Sequence, residues 1–147
     1  MIRIPCVSAA VLALAAAACG PGRPAPVPEQ WVVLREDAGQ RVSLNVLSIR
    51  TEPPDIRTAS IATAYTSVQE TDSVRFDHEE ISVQFHCRRG AMRTEGGARF
   101  LGDEIALAWM AGPPPIYPDG RDGREWDNVP PGTYLDDAMK LVCRSEP

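Results

Sequence analysis

The chain has 147 residues, with 15 basic and 20 acidic side chains and a net charge of −5 at neutral pH. That length allows one domain behind a short leader. The acidic balance argues against non-specific binding to nucleic acid or to anionic lipid headgroups.

Residues 1–18 have the layout of a secretory signal. Arg3 supplies a positive start, Ile4 to Leu14 an apolar run, and Ala15 to Ala18 the small residues at the cut. The run is too short and too alanine-rich for a membrane-spanning helix. Two processing routes are open. A general signal peptidase can cut after an Ala-x-Ala triplet. Alternatively, the segment resembles a bacterial lipoprotein signal, with Cys19 as the residue that becomes lipid-modified, although Ala16 stands where such signals usually carry leucine. The lipoprotein route is the reading adopted, and it makes Cys19 the lipidation site and the membrane a partner through that anchor. Gly20 to Gln30 carries four prolines in eleven residues. It reads as an extended tether, spanning roughly 30 Å at about 3.1 Å per residue.

The folded domain is expected over 31–147. Trp31 to Leu34 reads as a strand, Ala38-Gly39-Gln40 as a turn, and Val42 to Ile49 as a second strand. Pro53-Pro54-Asp55 breaks the pattern. A third strand is expected from Ile56 to Thr66, with Ile61, Thr63 and Tyr65 on one face. Ser67 to Glu79 is polar and acidic and reads as an exposed connection. Ile81, Val83, Phe85 and Cys87 alternate with Ser82, Gln84 and His86, the period of a half-buried strand. Arg88-Arg89-Gly90 turns the chain into Ala91 to Leu101, bent or bulged at Gly96-Gly97. Gly102-Asp103 is a turn signal. Glu104 to Met110 reads as a strand, with helix as the alternative. Gly112 to Gly123 is a loop by composition. Thr133, with Asp136 three residues on, opens a C-terminal helix. Leu135, Ala138, Met139 and Val142 fall along one helical face.

Of the four cysteines, Cys6 leaves with the leader and Cys19 takes the lipid, so Cys87 and Cys143 remain as an even pair. A disulfide between strand and helix is expected in an oxidising compartment. The alternative is two separate buried thiols.

The leader, the strand V-Q-F-H-C ending at Cys87, the turn at Gly102-Asp103 and the closing segment W-D-N-V-P-P-G-T-Y-L-D-D-A-M-K-L-V-C (126–143) together resemble the surface-adhesin protein E family of small bacterial lipoproteins. The resemblance implies an α+β fold: a small, mainly antiparallel sheet packed by a C-terminal helix and closed by the Cys87–Cys143 disulfide. It also implies outer-membrane anchoring and adhesin-like binding of other proteins, whether host matrix or envelope proteins.

No residues form a nucleophile elbow or a glycine-rich phosphate loop. The chain therefore reads as non-enzymatic, without cofactor or metal. Asp77-His78-Glu79-Glu80 reads as a solvated acidic loop, because a metal site needs ligands that converge. Asp119, Asp122 and Asp127 miss the spacing of a calcium loop and read as turn residues. Two candidates remain for recognition: Tyr117 in the proline-rich loop, and the basic cluster Arg88, Arg89 and Arg93. The preferred reading is a protein-binding module. A structural envelope component facing the periplasm is the alternative, and a small hydrolase is disfavoured.

Overall fold

The computed structural model describes residues 30–52, 54–112 and 125–144. The leader, Cys19 and nearly all of the tether lie outside this range, as do Tyr117, Asp119 and Asp122. The sheet elements are β1 (Trp31–Glu36), β2 (Gln40–Glu52), β3 (Ile56–Thr71), β4 (Val74–His86), β5 (Ala91–Leu101), β6 (Glu104–Met110) and the short β7 (Asp127–Asn128). One helix follows, α1 (Tyr134–Arg144). Strands β1 to β6 lie side by side in chain order, each antiparallel to the last, and β7 pairs with the start of β5. The expected α+β architecture is what forms.

The register explains the core. Leu44 pairs with Ile61, Ile61 with Ile81, and Ala59 with Val83. Directly paired residues share a face, so one face of the central strands is apolar. Helix α1 lies on it. Val42, Leu44, Ile61, Val83, Phe85, Ala138 and Val142 are almost wholly buried there. The helix begins as its capping residues dictate. Thr133 Oγ accepts the Asp136 N–H at 3.4 Å, while the Asp136 carboxylate accepts the Gly132 N–H at 2.9 Å and holds Lys140. The second bond reaches one residue further back than in a standard capping box. Cys143, near the helix end, is bonded to Cys87, with Cα atoms 5.6 Å apart. Cys87 itself lies one residue beyond the end of β4.

Several sequence expectations need correction. Ser67 to Glu79 is not a connection: β3 runs to Thr71, β4 starts at Val74, and only Asp72 and Ser73 turn the chain, both at positive φ (52° and 64°). The β2 strand begins at Gln40, which pairs with Tyr65, so the hairpin beyond that point projects past β2. Its β3 arm is largely exposed there and Phe76 is the one buried residue of the pair, so the alternation that marks a half-buried strand is lost. The irregularity in β5 leaves Glu95 as the extra residue, just before Gly96. Glu104 to Met110 is a strand, as expected, and not the alternative helix. No described helix is long and apolar enough to cross a membrane.

Candidate functional site

The helix covers the β1–β4 side of the sheet, and the β5–β6 side carries the distinctive chemistry. On the helix face, Tyr65 donates its hydroxyl to Glu79 Oε1 at 2.9 Å. Arg99 pairs with Glu79 Oε2 at 3.4 Å. The Arg99 guanidinium lies 4.6 Å from the Phe76 ring centre and 5.6 Å from that of Trp109. Tyr65 also meets Phe76 edge to face, 5.7 Å between centroids. Burial, then the hydrogen bond to the Glu79 carboxylate, pushes the Tyr65 hydroxyl up to about 12. Burial, then the charge of Glu79, raises Tyr134 as well. These contacts join β3, β4, β5 and β6 into one half-buried aromatic and ionic layer beside the helix.

Trp109 reaches that layer because two glycines let it. A Cβ on Gly97 would lie 2.5 Å from the Glu80 carbonyl oxygen and 2.7 Å from the Trp109 ring. A Cβ on Gly96 would lie 2.7 Å from the Trp109 carbonyl oxygen. The glycine pair therefore sets the close approach of β6 to β5.

The opposite face differs. Ser60 pairs with Ser82, Ser82 with Gly96, and Gly96 with Met110; in the next row Ala98 pairs with Ala108. Small side chains aligned across the strands leave a shallow trough of about 610 Å³, with Glu80 and Glu95 among its lining. Further along this face Gln84 and Arg93 bond each other, while His86, edge-on to Trp126, keeps a buried Nδ1 without a hydrogen-bond partner among the described residues. Arg93 Nε donates to Gln84 Oε1 at 2.7 Å, and its guanidinium lies 4.4 Å from the Trp126 ring centre.

The expected basic cluster does not assemble. Arg93 is only 7% exposed, held beneath Trp126. Arg88 is exposed on the β4–β5 hairpin and pairs with Asp55 at 3.2 Å. Arg89 is exposed beside it. The reason is strand parity: Arg93 sits on β5 opposite Gln84, two residues into the ladder, and points into the sheet face.

The acidic run is also not a loop. Asp77 bonds His78 at 2.7 Å and accepts the Gly102 N–H at 2.9 Å, tying β4 to the β5–β6 turn. The Gly102 N–H, then His78, hold the Asp77 carboxyl below its usual range. His78 stacks on Phe100 at 4.6 Å, and Glu79 belongs to the layer described above. No group of three or more His, Cys, Asp or Glu side chains among the described residues converges as metal ligands. Asp127 is exposed in β7.

The residues that sequence reasoning passed over are on β6. Ile105 is 65% exposed, Leu107 38% and Met110 87%. A signal was present: E-I-A-L-A-W-M has a single charge, at its first position, and no polar residue on either face.

Comparison with known proteins bears on this fold directly. The model of one family, described as surface-adhesin protein E, matches residues 31–144, the whole of the sheet and helix. Neither the curated proteins nor the solved structures give a match.

Proposed function

The chain belongs to the surface-adhesin protein E family, and on that premise we propose that it is a non-enzymatic protein-binding module of the bacterial envelope, anchored by lipid at Cys19. The observation that carries the reading is the family match over the entire sheet and helix. The exposed apolar β6 side supports it, since contiguous apolar surface of this kind marks interaction sites. In this reading residues 19–30 are the tether and 31–147 the module. The tether enters at β1, where the Val46 N–H donates to the Gln30 carbonyl at 2.9 Å. Strand β6 lies at the other edge, five strand spacings away, roughly 24 Å at 4.8 Å each. The anchored edge faces the membrane and the β6 side faces a partner. Arg88 and Arg89 on their hairpin, and Tyr117, are additional proposed contacts for an acidic or aromatic-binding partner. The partners are host matrix proteins or other envelope proteins.

Protease shaving of intact cells tests the reading, with Cys19→Ala as the anchoring control. Wild-type protein is expected to be cleaved on intact cells, and the Cys19→Ala chain to leave the membrane fraction. Protection until the outer membrane is opened would instead place the protein in the periplasm and favour a structural or assembly role.

A further inference from the structure

We propose that the trough on the helix-free face of the sheet binds a linear aliphatic diamine or polyamine. One ammonium sits at Glu80, another at Glu95, and the methylene chain lies on the small side chains between them. The inference does not depend on the protein-binding reading above.

The strand register builds the floor. Ser82 pairs with Gly96, Glu80 with Ala98, and Ala98 with Ala108. Methylene groups laid on glycine and alanine leave water without displacing a hydrogen bond. The volume of about 610 Å³ falls within the ~300–1,000 Å³ of small-molecule sites. 

The two carboxylates set the ends. Glu95 is the extra residue of the β5 bulge, just before Gly96, and Glu80 stands opposite Ala98. Two to three residues of rise at about 3.4 Å and one strand spacing of about 4.8 Å separate their backbones by roughly 8–11 Å. A staggered chain of about nine single bonds of ~1.5 Å covers that span. An ammonium has only donors, and an ionised carboxylate has about four acceptor sites. Glu95 can therefore take an ammonium while keeping Arg93 at 3.9 Å, and its side chain is 29% exposed. Glu80 has contacts of its own and the same capacity.

Charge then selects the ligand class. No basic side chain is among the described residues that line the trough. Arg93, the cation beside Glu95, is held by Gln84 and beneath Trp126. His78, further along the same face, is bonded to Asp77 and stacked on Phe100. An anion would meet two like charges here. An uncharged chain would strip water from both carboxylates and return no bond to them. A cation at each end answers both, through charge-assisted hydrogen bonds. The net charge of −5 adds long-range attraction.

The test is isothermal titration calorimetry on the full chain in mild detergent. Diaminooctane, with its amines nine bonds apart, is compared with diaminobutane, which carries the same charge over five. Diaminooctane is expected to bind one per chain, with a Kd between about 10 μM and about 1 mM for so open a site. Diaminobutane is expected to bind several-fold more weakly. Glu80→Gln and Glu95→Gln are each expected to weaken diaminooctane several-fold. Glu70→Gln, which removes an exposed carboxylate elsewhere on the sheet, is expected to leave it unchanged. Ala98→Leu keeps both carboxylates but fills the floor, and is expected to abolish binding. Ala108→Leu is the second filling variant should Ala98→Leu lose its native circular dichroism. The proposal would be overturned by no binding up to about 10 mM at two temperatures, by equal affinity for the two diamines, or by several equivalent sites per chain. Glutamine variants or filling variants that bind like wild type would overturn it too, as would a matching loss in Glu70→Gln. Equal binding of octanediol would mark a purely apolar groove, and tighter binding of a trilysine peptide would mark a seat for a protein segment; either result refutes the diamine assignment.

Discussion

Replacing Cys87 by serine removes the disulfide that cross-links the end of β4 to the helix. The bridge joins residues 56 positions apart. In the chain-entropy account, closing a loop of that length removes about 14 cal/mol/K from the unfolded ensemble, or about 4 kcal/mol at room temperature. A domain of this size has a total stability of about 5–15 kcal/mol, so the loss is a large share. For a described fold of this length it corresponds to a fall in Tm of roughly 15–20 °C. The link lies at the margin of the core, where Cys143 packs against the buried cluster. The helix ends one residue after Cys143, and Cys87 is otherwise held by its N–H bond to the Asp55 carbonyl at 3.0 Å. Urea unfolding of Cys87→Ser, Cys143→Ser and the double variant measures the effect. All three are expected to lose the same amount, because either substitution already opens the loop. Reduction of the wild type is expected to match them. If the double variant lost the sum of the two single losses, the cysteines would be acting separately and the reasoning would fail.

Gly97→Ala is expected to cost about 1–3 kcal/mol, since the added methyl meets the Glu80 carbonyl and the Trp109 ring; thermal unfolding and Trp109 fluorescence check it together. Ser73→Gly is expected to stabilise the β3–β4 hairpin by about 0.5–1 kcal/mol, because Ser73 holds a φ of 64° that glycine adopts without strain. Tyr65→Phe removes the hydrogen bond to Glu79 and is expected to cost about 1 kcal/mol at neutral pH, a figure lowered for partial exposure. Because the folded state raises the Tyr65 hydroxyl from 10.0 to about 12, its contribution is complete below pH 10 and is lost as pH climbs through about 12. Stability measured across that alkaline range should therefore fall more steeply in wild type than in Tyr65→Phe, and parallel curves would rule the coupling out.

Much of the fold is legible in residue order because most elements obey a single period. Val42, Leu44, Ile61, Val83 and Phe85 each sit at alternate positions in their strands, and all are buried under the helix. Ala138 and Val142 mark the helical stripe in the same way. The exception is the β3–β4 hairpin from Ser67 to Glu79. Period-two alternation arises only where one face is covered along its length, and this hairpin extends past β2 with most of its side chains in solvent. Phe76 is its one deeply buried apolar residue, and it is buried by Arg99 and Tyr65, which lie on other parts of the chain. Nothing local to Ser67–Glu79 encodes that contact.

The site is less legible than the fold, and Arg93 and Met110 show why. Arg93 reads as surface because arginine is rarely buried. Its burial depends on Gln84 across the ladder and on Trp126, which arrives from beyond the proline-rich loop. Met110 reads as core because methionine usually is. Its exposure depends on β6 having no described neighbour on its outer side. In both cases side-chain type predicts burial correctly on average, and the order of strands in the sheet reverses it. That order is set by the meander itself. Each hairpin adds its strand beside the last, so the final long strand must end as an edge. A six-strand meander that spends its helix on β1 to β4 leaves that last strand uncovered by the fold's own helix. Its sequence, apolar on both faces, suits burial better than solvent. The exposed apolar edge is thus a product of topology, and it is the place where this fold has most to gain from a second surface.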